Sequence, residues 1–158
     1  MKTKRSIKDQ KGATLVEFAI VLPLLALLVG GMIEFGLLLF NQQVIVNASR
    51  EGARASIVVE PNMMSDGIIK TIVKTYCDGH LITFQGSSVV NSNDIYICDA
   101  DVTPPCTLDR NSSSFQDNIA VTVSFDYYYL LPALLNYGTP KTLTAKTAMK
   151  LEQPSPTP

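Results

Sequence analysis

Two glutamates stand in a long apolar run, and they are the residues whose type and position point most directly to chemistry. Glu17 lies near the start of the run and Glu34 lies deep inside it, while no charged residue occurs from Phe18 to Ile33. Placing an ionised carboxylate in hydrocarbon has a free-energy cost on the order of several kcal/mol unless a cation or hydrogen-bond donors pair with it. The placement therefore predicts pairing of charges rather than bond-breaking chemistry.

The run itself is long enough to cross a membrane. From Ala13 to Phe40 it exceeds the ~20 helical residues that span a hydrocarbon core of ~30 Å. Basic residues outnumber acids before it, which predicts a cytoplasmic N-terminus and an extracytoplasmic remainder. The alternative is a removable signal peptide, but the run is longer than the usual apolar core of such peptides, and no small-residue cleavage pattern follows it. We therefore favour a retained membrane helix.

Composition argues against several classes of function. The net charge is -1 and the basic residues form no stripe on a folded face, so we expect no nucleic-acid partner. His80 is the one histidine, and the sequence has neither a GxSxG motif nor metal-ligand spacing. We expect no enzymatic activity, no catalytic residues, no metal and no cofactor.

Three cysteines lie on the predicted extracytoplasmic side, where disulfides persist. Cys98 and Cys106 flank the loop CDADVTPPC, and a bridge between them is the pairing we favour. A bridge between Cys77 and Cys98 is the alternative.

Hydrophobic periodicity predicts an α+β fold. A long helix over 13–59 turns amphipathic in its second half, where Val44, Ala48, Gly52 and Ala55 recur at helical spacing. Pro23 is expected to kink or open its membrane part. Ranges predicted for the other elements are a helix over 65–76 and strands over 81–85, 89–98, 118–129 and 141–151. The alternation in the last two strands predicts an antiparallel sheet with one face covered by the long helix and one face in water.

The N-terminal residues resemble a known family. Gly12 followed by ATLVEF is similar to the processing site of a type IVb prepilin, and the stretches GATLVEFAIVLPLLALLVGGMIEFGLLLF, NASREGARA and LTAKTAMKLE resemble TadE-like pseudopilins of the tight-adherence (Flp) pilus. The resemblance implies a pilin-like fold and cleavage after Gly12, which makes Ala13 the first residue and Glu17 the fifth, followed by the aromatic Phe18. Phe18 stands where the major Flp pilins commonly have tyrosine, and the head is far larger than theirs, so the resemblance implies a minor pilin.

The same resemblance implies partners and places. It implies that Glu17 neutralises the N-terminal amine of a neighbouring subunit, and that a prepilin peptidase, other pilin subunits and an inner-membrane assembly platform bind the chain. We therefore expect a bacterial inner-membrane protein that later enters an extracellular pilus used in cell adhesion. The expected divisions are a cleaved leader over 1–12, a membrane and filament-core helix over 13–40, a head over 41–151 and a disordered tail over 152–158.

Small residues in the span could let helices approach closely: Ala26, Gly30 and Gly31 form the predicted packing surface, with Glu34 beside it. Glu34 has two open interpretations, namely a position at the outer headgroups or pairing with a partner helix. Two other functions also stay open for the whole chain. These are an uncleaved, membrane-anchored binding head that acts as an adhesin or sensor, and an anchored hydrolase.

Overall fold

The computed structural model describes residues 7–57, 65–84, 90–106, 118–130 and 140–150, with side chains from Gly12 onward. These residues form two helices and three strands. The elements are α1 (Ile7–Ile57), α2 (Asp66–His80), β1 (Ile95–Asp99), β2 (Asn118–Tyr127) and β3 (Lys141–Lys150). The strands make one antiparallel sheet in the order β1-β2-β3, with Tyr127 paired to Lys141 at one end and Asn118 paired to Lys150 at the other. The predicted α+β class is confirmed.

α1 has two halves with different surroundings. From Gly12 to Ile33 its apolar side chains are exposed, whereas from Glu34 onward one face of the helix is buried against the rest of the chain. The helix continues through Pro23, where the sequence predicted a kink or a local opening. α1 is therefore one rod whose second half carries the head.

The head packs on α1 through an apolar core with polar bonds at its margin. The Gln42 amide donates to the carbonyl oxygen of Thr144 at 3.2 Å, and the hydroxyls of Ser49 and Thr147 lie 2.7 Å apart. Both partners are on β3, so α1 lies along that strand. Core side chains come from both helices and all three strands, and they include Ile45, Ala48, Ile69, Val73, Ile95, Val121, Val123 and Phe125.

Gly52 lies where α1 packs closely against α2 and β2. A Cβ at this position would lie 2.5 Å from Cγ2 of Val73 and 3.1 Å from Cγ1 of Val121. Stiff β-branched side chains cannot retreat without moving the backbone behind them. The absence of a side chain at Gly52 is therefore a packing requirement.

Gly52→Ala is expected to lower the free energy of unfolding of the head by about 1–2 kcal/mol, because an overpacking cost of ~1–3 kcal/mol exceeds the ~1 kcal/mol gain in helix propensity. Denaturant unfolding in detergent micelles, followed by near-ultraviolet circular dichroism, measures the change. The matched control is Gly79→Ala in α2, where an added Cβ meets open space. Equal unfolding midpoints for the two variants would contradict the expectation.

α2 is longer than predicted, because it continues through Gly79 to His80 instead of ending near Tyr76. The His80 ring stacks on Tyr76, with centroids 4.5 Å apart, and hydrogen-bonds its carbonyl oxygen. The backbone N–H of Leu81 then donates to the carbonyl oxygen of Cys77. These contacts stabilise the last turn of α2, although Gly79 had suggested that the helix would end before it.

The strand predicted over 81–85 was wrong for its described part, 81–84. The side-chain amide of Asn41 takes the place of a neighbouring strand: it donates to the carbonyl oxygen of Ile82 at 2.8 Å and accepts from the backbone N–H of Ile82 at 2.9 Å. The backbone of Ile82 therefore forms its hydrogen bonds with a side chain of α1 rather than with a neighbouring strand.

The strand predicted over 89–98 begins later than expected, at Ile95. A short 3-10 turn, Ser92–Asp94, precedes it, and the Asp94 carboxylate accepts from the backbone N–H of Asn91 at 2.9 Å. Capping of this kind competes with extended backbone. Residue 89 lies outside the described residues.

The sheet face opposite α1 is exposed along β3, as the alternation predicted, but the part of it formed by the middle of β2 is covered. Ala120 and Thr122 on this face are buried. The loop after β1 folds back over them, and the Lys146 ammonium group donates to the carbonyl oxygen of Ala100 at 2.8 Å. A disulfide between Cys98 and Cys106, the pairing favoured from the sequence, closes the same loop.

Cys77, the alternative partner for Cys98, is a free and buried thiol on α2. Burial raises the pKa of this thiol to about 11, so the group stays protonated at neutral pH. A protonated, buried thiol is a poor nucleophile. Cys77 therefore acts as a core side chain.

Candidate functional site

The N-terminal turns of the span carry the residues that the sequence singled out. Gly12, Ala13, Glu17 and Phe18 are all helical and exposed. Ala13 and Glu17 lie one helical turn apart and so share a face of α1. An α-amine created at Ala13 would thus stand beside the Glu17 carboxyl.

The small residues of the span also face outward. Ala26 is exposed, and Gly30 and Gly31 are half-exposed. A Cβ added at Gly31 would meet nothing within 4 Å. The described chain therefore leaves this surface open, as contact with another helix would require, although the helix contact itself stays a prediction.

Glu34 differs from the other predicted site residues of α1 because its side chain is buried against the head, whereas theirs are exposed or half-exposed. Its side chain is 3% exposed. Its Oε1 accepts from the Tyr127 hydroxyl at 2.7 Å, and its two oxygens accept from the backbone N–H of Leu130 at 3.1 and 3.0 Å. We call this set of bonds, which joins Glu34 to Tyr127 and Leu130, the base latch. It fixes the end of β2 to α1.

The base latch also perturbs Tyr127. Burial of the phenol, and then its hydrogen bond to the Glu34 carboxyl, raise the pKa of Tyr127 above its usual range. The hydroxyl therefore remains a donor at physiological pH. The ring packs edge-on against Tyr129, with centroids 5.6 Å apart.

Glu34 and Asn41 were missed as contacts to the head by sequence reasoning. Both are buried on the face of α1 that also carries Ala48 and Gly52. Spacings of seven, seven and four residues place side chains on one face of a helix. That spacing was the available signal, because it extends the predicted amphipathic stripe back toward the membrane.

α1 is long and apolar enough to cross a membrane, and its apolar half is almost wholly uncovered by the described chain. The protein is thus an α+β protein with an N-terminal helix of membrane-spanning length that continues into a small antiparallel head. Within the described residues, no group of His, Cys, Asp or Glu side chains has the arrangement of a metal site.

Comparison with known proteins places the N-terminal part of the chain more closely. Residues 12–54 match the model of the family described as TadE-like protein, so the resemblance seen in the sequence is confirmed over that segment. No curated protein and no solved structure gives a significant match.

Proposed function

We propose that the protein is a minor pilin of a Tad pilus. It is inserted in the bacterial inner membrane with its N-terminus in the cytoplasm and its head outside, and a prepilin peptidase removes residues 1–12. The processed chain then enters the pilus. The observation that supports this most directly is the exposed apolar surface of α1 from Gly12 to Ile33, together with the TadE-like match that begins at Gly12.

The orientation is supported by the charges before the span. Lys2, Lys4, Arg5, Lys8 and Lys11 oppose a lone acid in the first eleven residues. Short basic segments of this kind remain on the cytoplasmic side of a membrane. The disulfide on the opposite side of the span agrees with an oxidising extracytoplasmic location.

Gly12 has a physical role at the cleavage site. α1 is already helical at Ile7, so the bond between Gly12 and Ala13 lies inside a helix before processing. A peptidase needs this backbone to be opened. Glycine in a helix interior is about 1 kcal/mol less favourable than alanine, so helix opening is least costly there. A missing side chain also leaves the scissile carbonyl accessible.

Assembly follows from the same surface. Packing against neighbouring α1 helices keeps these apolar side chains out of water once the subunit leaves the bilayer, and within the bilayer close van der Waals packing at small residues supports association. Contacts between different faces of like subunits generate a helical filament when the rotation between subunits does not close a ring. Glu17 sets the stagger, because only one axial offset places it beside the α-amine of a neighbour, and other offsets leave a buried charge unpaired. The assembly platform in the membrane is the expected third partner.

The mature N-terminus tests the proposal. Mass spectrometry of the protein isolated from membranes and from sheared surface fibres is expected to find Ala13 as the first residue. Gly12→Ala is expected to retain the leader in most molecules, since an added side chain both stabilises the helix and obstructs the scissile carbonyl. The matched control is Gly31→Ala, a glycine of the same helix with open space around it, which should be processed normally.

Two results would contradict the proposed function. An intact leader in a strain that makes pili would contradict processing and favour the anchored binding head, an adhesin or sensor. Equal processing of Gly12→Ala and Gly31→Ala would remove the role given to Gly12.

A further inference from the structure

The head and the exposed apolar surface of α1 overlap along the helix. One face of α1 enters the head at Glu34, whereas Phe35, Leu39 and Phe40 on its other sides are still exposed. At about 1.5 Å per residue, the helix from Ala13 to Phe40 is about 40 Å long, and the hydrocarbon core is only ~30 Å thick. The excess places the segment from Glu34 to Phe40 in the headgroup layer.

The base of the head carries its own apolar surface at that level. Tyr128 and Leu130 follow β2 directly and are 39% and 38% exposed. The backbone N–H of Leu130 bonds Glu34, and Tyr128 lies in the chain between Tyr127 and Leu130, the two partners of Glu34 in the base latch. Ile82 is also exposed and is bonded to Asn41, which lies two turns further along the same face of α1. We call Ile82, Tyr128 and Leu130 the collar.

We propose that the collar is a lipid-binding surface, which rests in the outer headgroup layer of the membrane while the subunit awaits assembly. Tyrosine suits this layer because its ring is apolar and its hydroxyl reaches water or phosphate. Leu130 contributes apolar area toward the acyl chains. The proposal rests on the membrane anchoring of α1, although not on its processing.

Charge at the base agrees with a lipid partner. Lys141 is exposed and pairs with Tyr127 across the sheet, so this basic residue stands at the same end of the sheet as the base latch. A basic side chain near an anionic membrane surface is worth about 1 kcal/mol. The neighbouring acid, Asp126, accepts a hydrogen bond from the Thr142 hydroxyl at 2.7 Å. Glu34 is turned inward, so the base latch removes an acid from the surface that meets lipid.

Continuity favours lipid over a second subunit as the first occupant. No charged residue occurs from Phe35 to Phe40, so the exposed side chains of Phe35, Leu39 and Phe40 extend the apolar surface of α1 to the level of the base latch. Every subunit must pass through the membrane-bound state before it meets a neighbour. A collar at the depth of the headgroups therefore has lipid against it before any protein contact forms.

The experiment uses the absence of tryptophan from the sequence. Leu130→Trp introduces a single tryptophan in the collar, which can be excited selectively over the six tyrosines. Val102→Trp is the matched control, because Val102 is a 46% exposed apolar residue at the opposite end of the sheet. Leu25→Trp in the span reports insertion. Each full-length, unprocessed variant is reconstituted at low protein-to-lipid ratio into phosphatidylethanolamine and phosphatidylglycerol vesicles that contain lipid brominated near the glycerol end of its chains.

The tryptophan at position 130 is expected to emit at shorter wavelength than the one at position 102, and to be quenched by the brominated lipid at least about twofold more strongly, as an interfacial aromatic side chain would be. Tyr128→Trp should behave like Leu130→Trp, which covers the case in which Leu130→Trp disturbs the fold. Equal emission and quenching at positions 128, 130 and 102 would overturn the proposal.

Two other results also overturn it. Emission at position 130 that is unquenched at every ratio and shifts to shorter wavelength only as the protein-to-lipid ratio rises would assign the collar to contact between subunits. Emission at position 25 at the wavelength of a tryptophan in water would show that α1 is not inserted, and membrane anchoring would fail together with the collar. Because the chains are unprocessed, a failure to cleave after Gly12 has no effect on any of these readings.

Discussion

Glu17→Ala is expected to be inserted and processed normally and yet to be absent from filaments. In the proposed assembly the Glu17 carboxyl meets the α-amine of Ala13 on a neighbouring subunit. Without the carboxyl, that amine is buried among apolar helices with no counter-charge, which costs about 3 kcal/mol or more. Since each ~1.4 kcal/mol is a factor of ten in an equilibrium constant, incorporation should fall at least about 100-fold.

Mass spectrometry of the membrane fraction and immunoblots of sheared fibres measure processing and incorporation separately. Glu17→Gln keeps the size of the side chain and removes its charge, so it should fail in the same way as Glu17→Ala. Val16→Ala is the matched control, because Val16 is an exposed neighbour on the same helix and carries no charge. Normal incorporation of Glu17→Gln would show that charge pairing does not set the stagger.

The second large effect is expected at the base latch. Glu34→Ala leaves the Tyr127 hydroxyl and the Leu130 N–H without the acceptor they have in the structure. Each buried donor left unsatisfied costs about 1–3 kcal/mol, so the free energy of unfolding of the head should fall by roughly 3 kcal/mol. The end of β2 should also come away from α1, since these bonds join the two.

Unfolding in detergent micelles, monitored by tyrosine circular dichroism, measures the loss. Glu51→Ala removes an exposed glutamate from the same helix and should change stability by less than about 0.5 kcal/mol. A double-mutant cycle with Tyr127→Phe isolates the bond between the two side chains, and a coupling near zero would mean that this bond does not stabilise the head. Equal unfolding midpoints for Glu34→Ala and Glu51→Ala would show that the base latch does not stabilise the head.

Sequence patterns predicted the parts of the fold whose causes are local. Helical spacing predicted the buried stripe of α1, and strict alternation predicted β2 and β3, because each pattern follows directly from the geometry of one element. The bridge between Cys98 and Cys106 closes a loop of neighbouring residues, so it could also be favoured from spacing alone.

The parts that could not be predicted depend on contacts between distant residues. Glu34 bonds a tyrosine 93 residues later in the chain, and nothing in the apolar run shows which head residue will meet it. The strand expected over 81–85 failed for a similar reason. Asn41 supplied the donor and acceptor that a β-ladder would have supplied, and a propensity pattern has no access to such a partner.

The unbroken helix between Glu17 and Glu34 has a geometric consequence for any fibre the protein enters. Each residue of an α-helix turns the chain by about 100°. The number of residues between the two acids therefore sets the angle, measured about the helix axis, between the head and Glu17. Deleting one residue would swing the head about 100° around the fibre axis, whereas deleting seven would return it to within about 20° of its original bearing, roughly 10 Å lower. The outward direction of the head is therefore encoded in the length of the anchor rather than in the head itself.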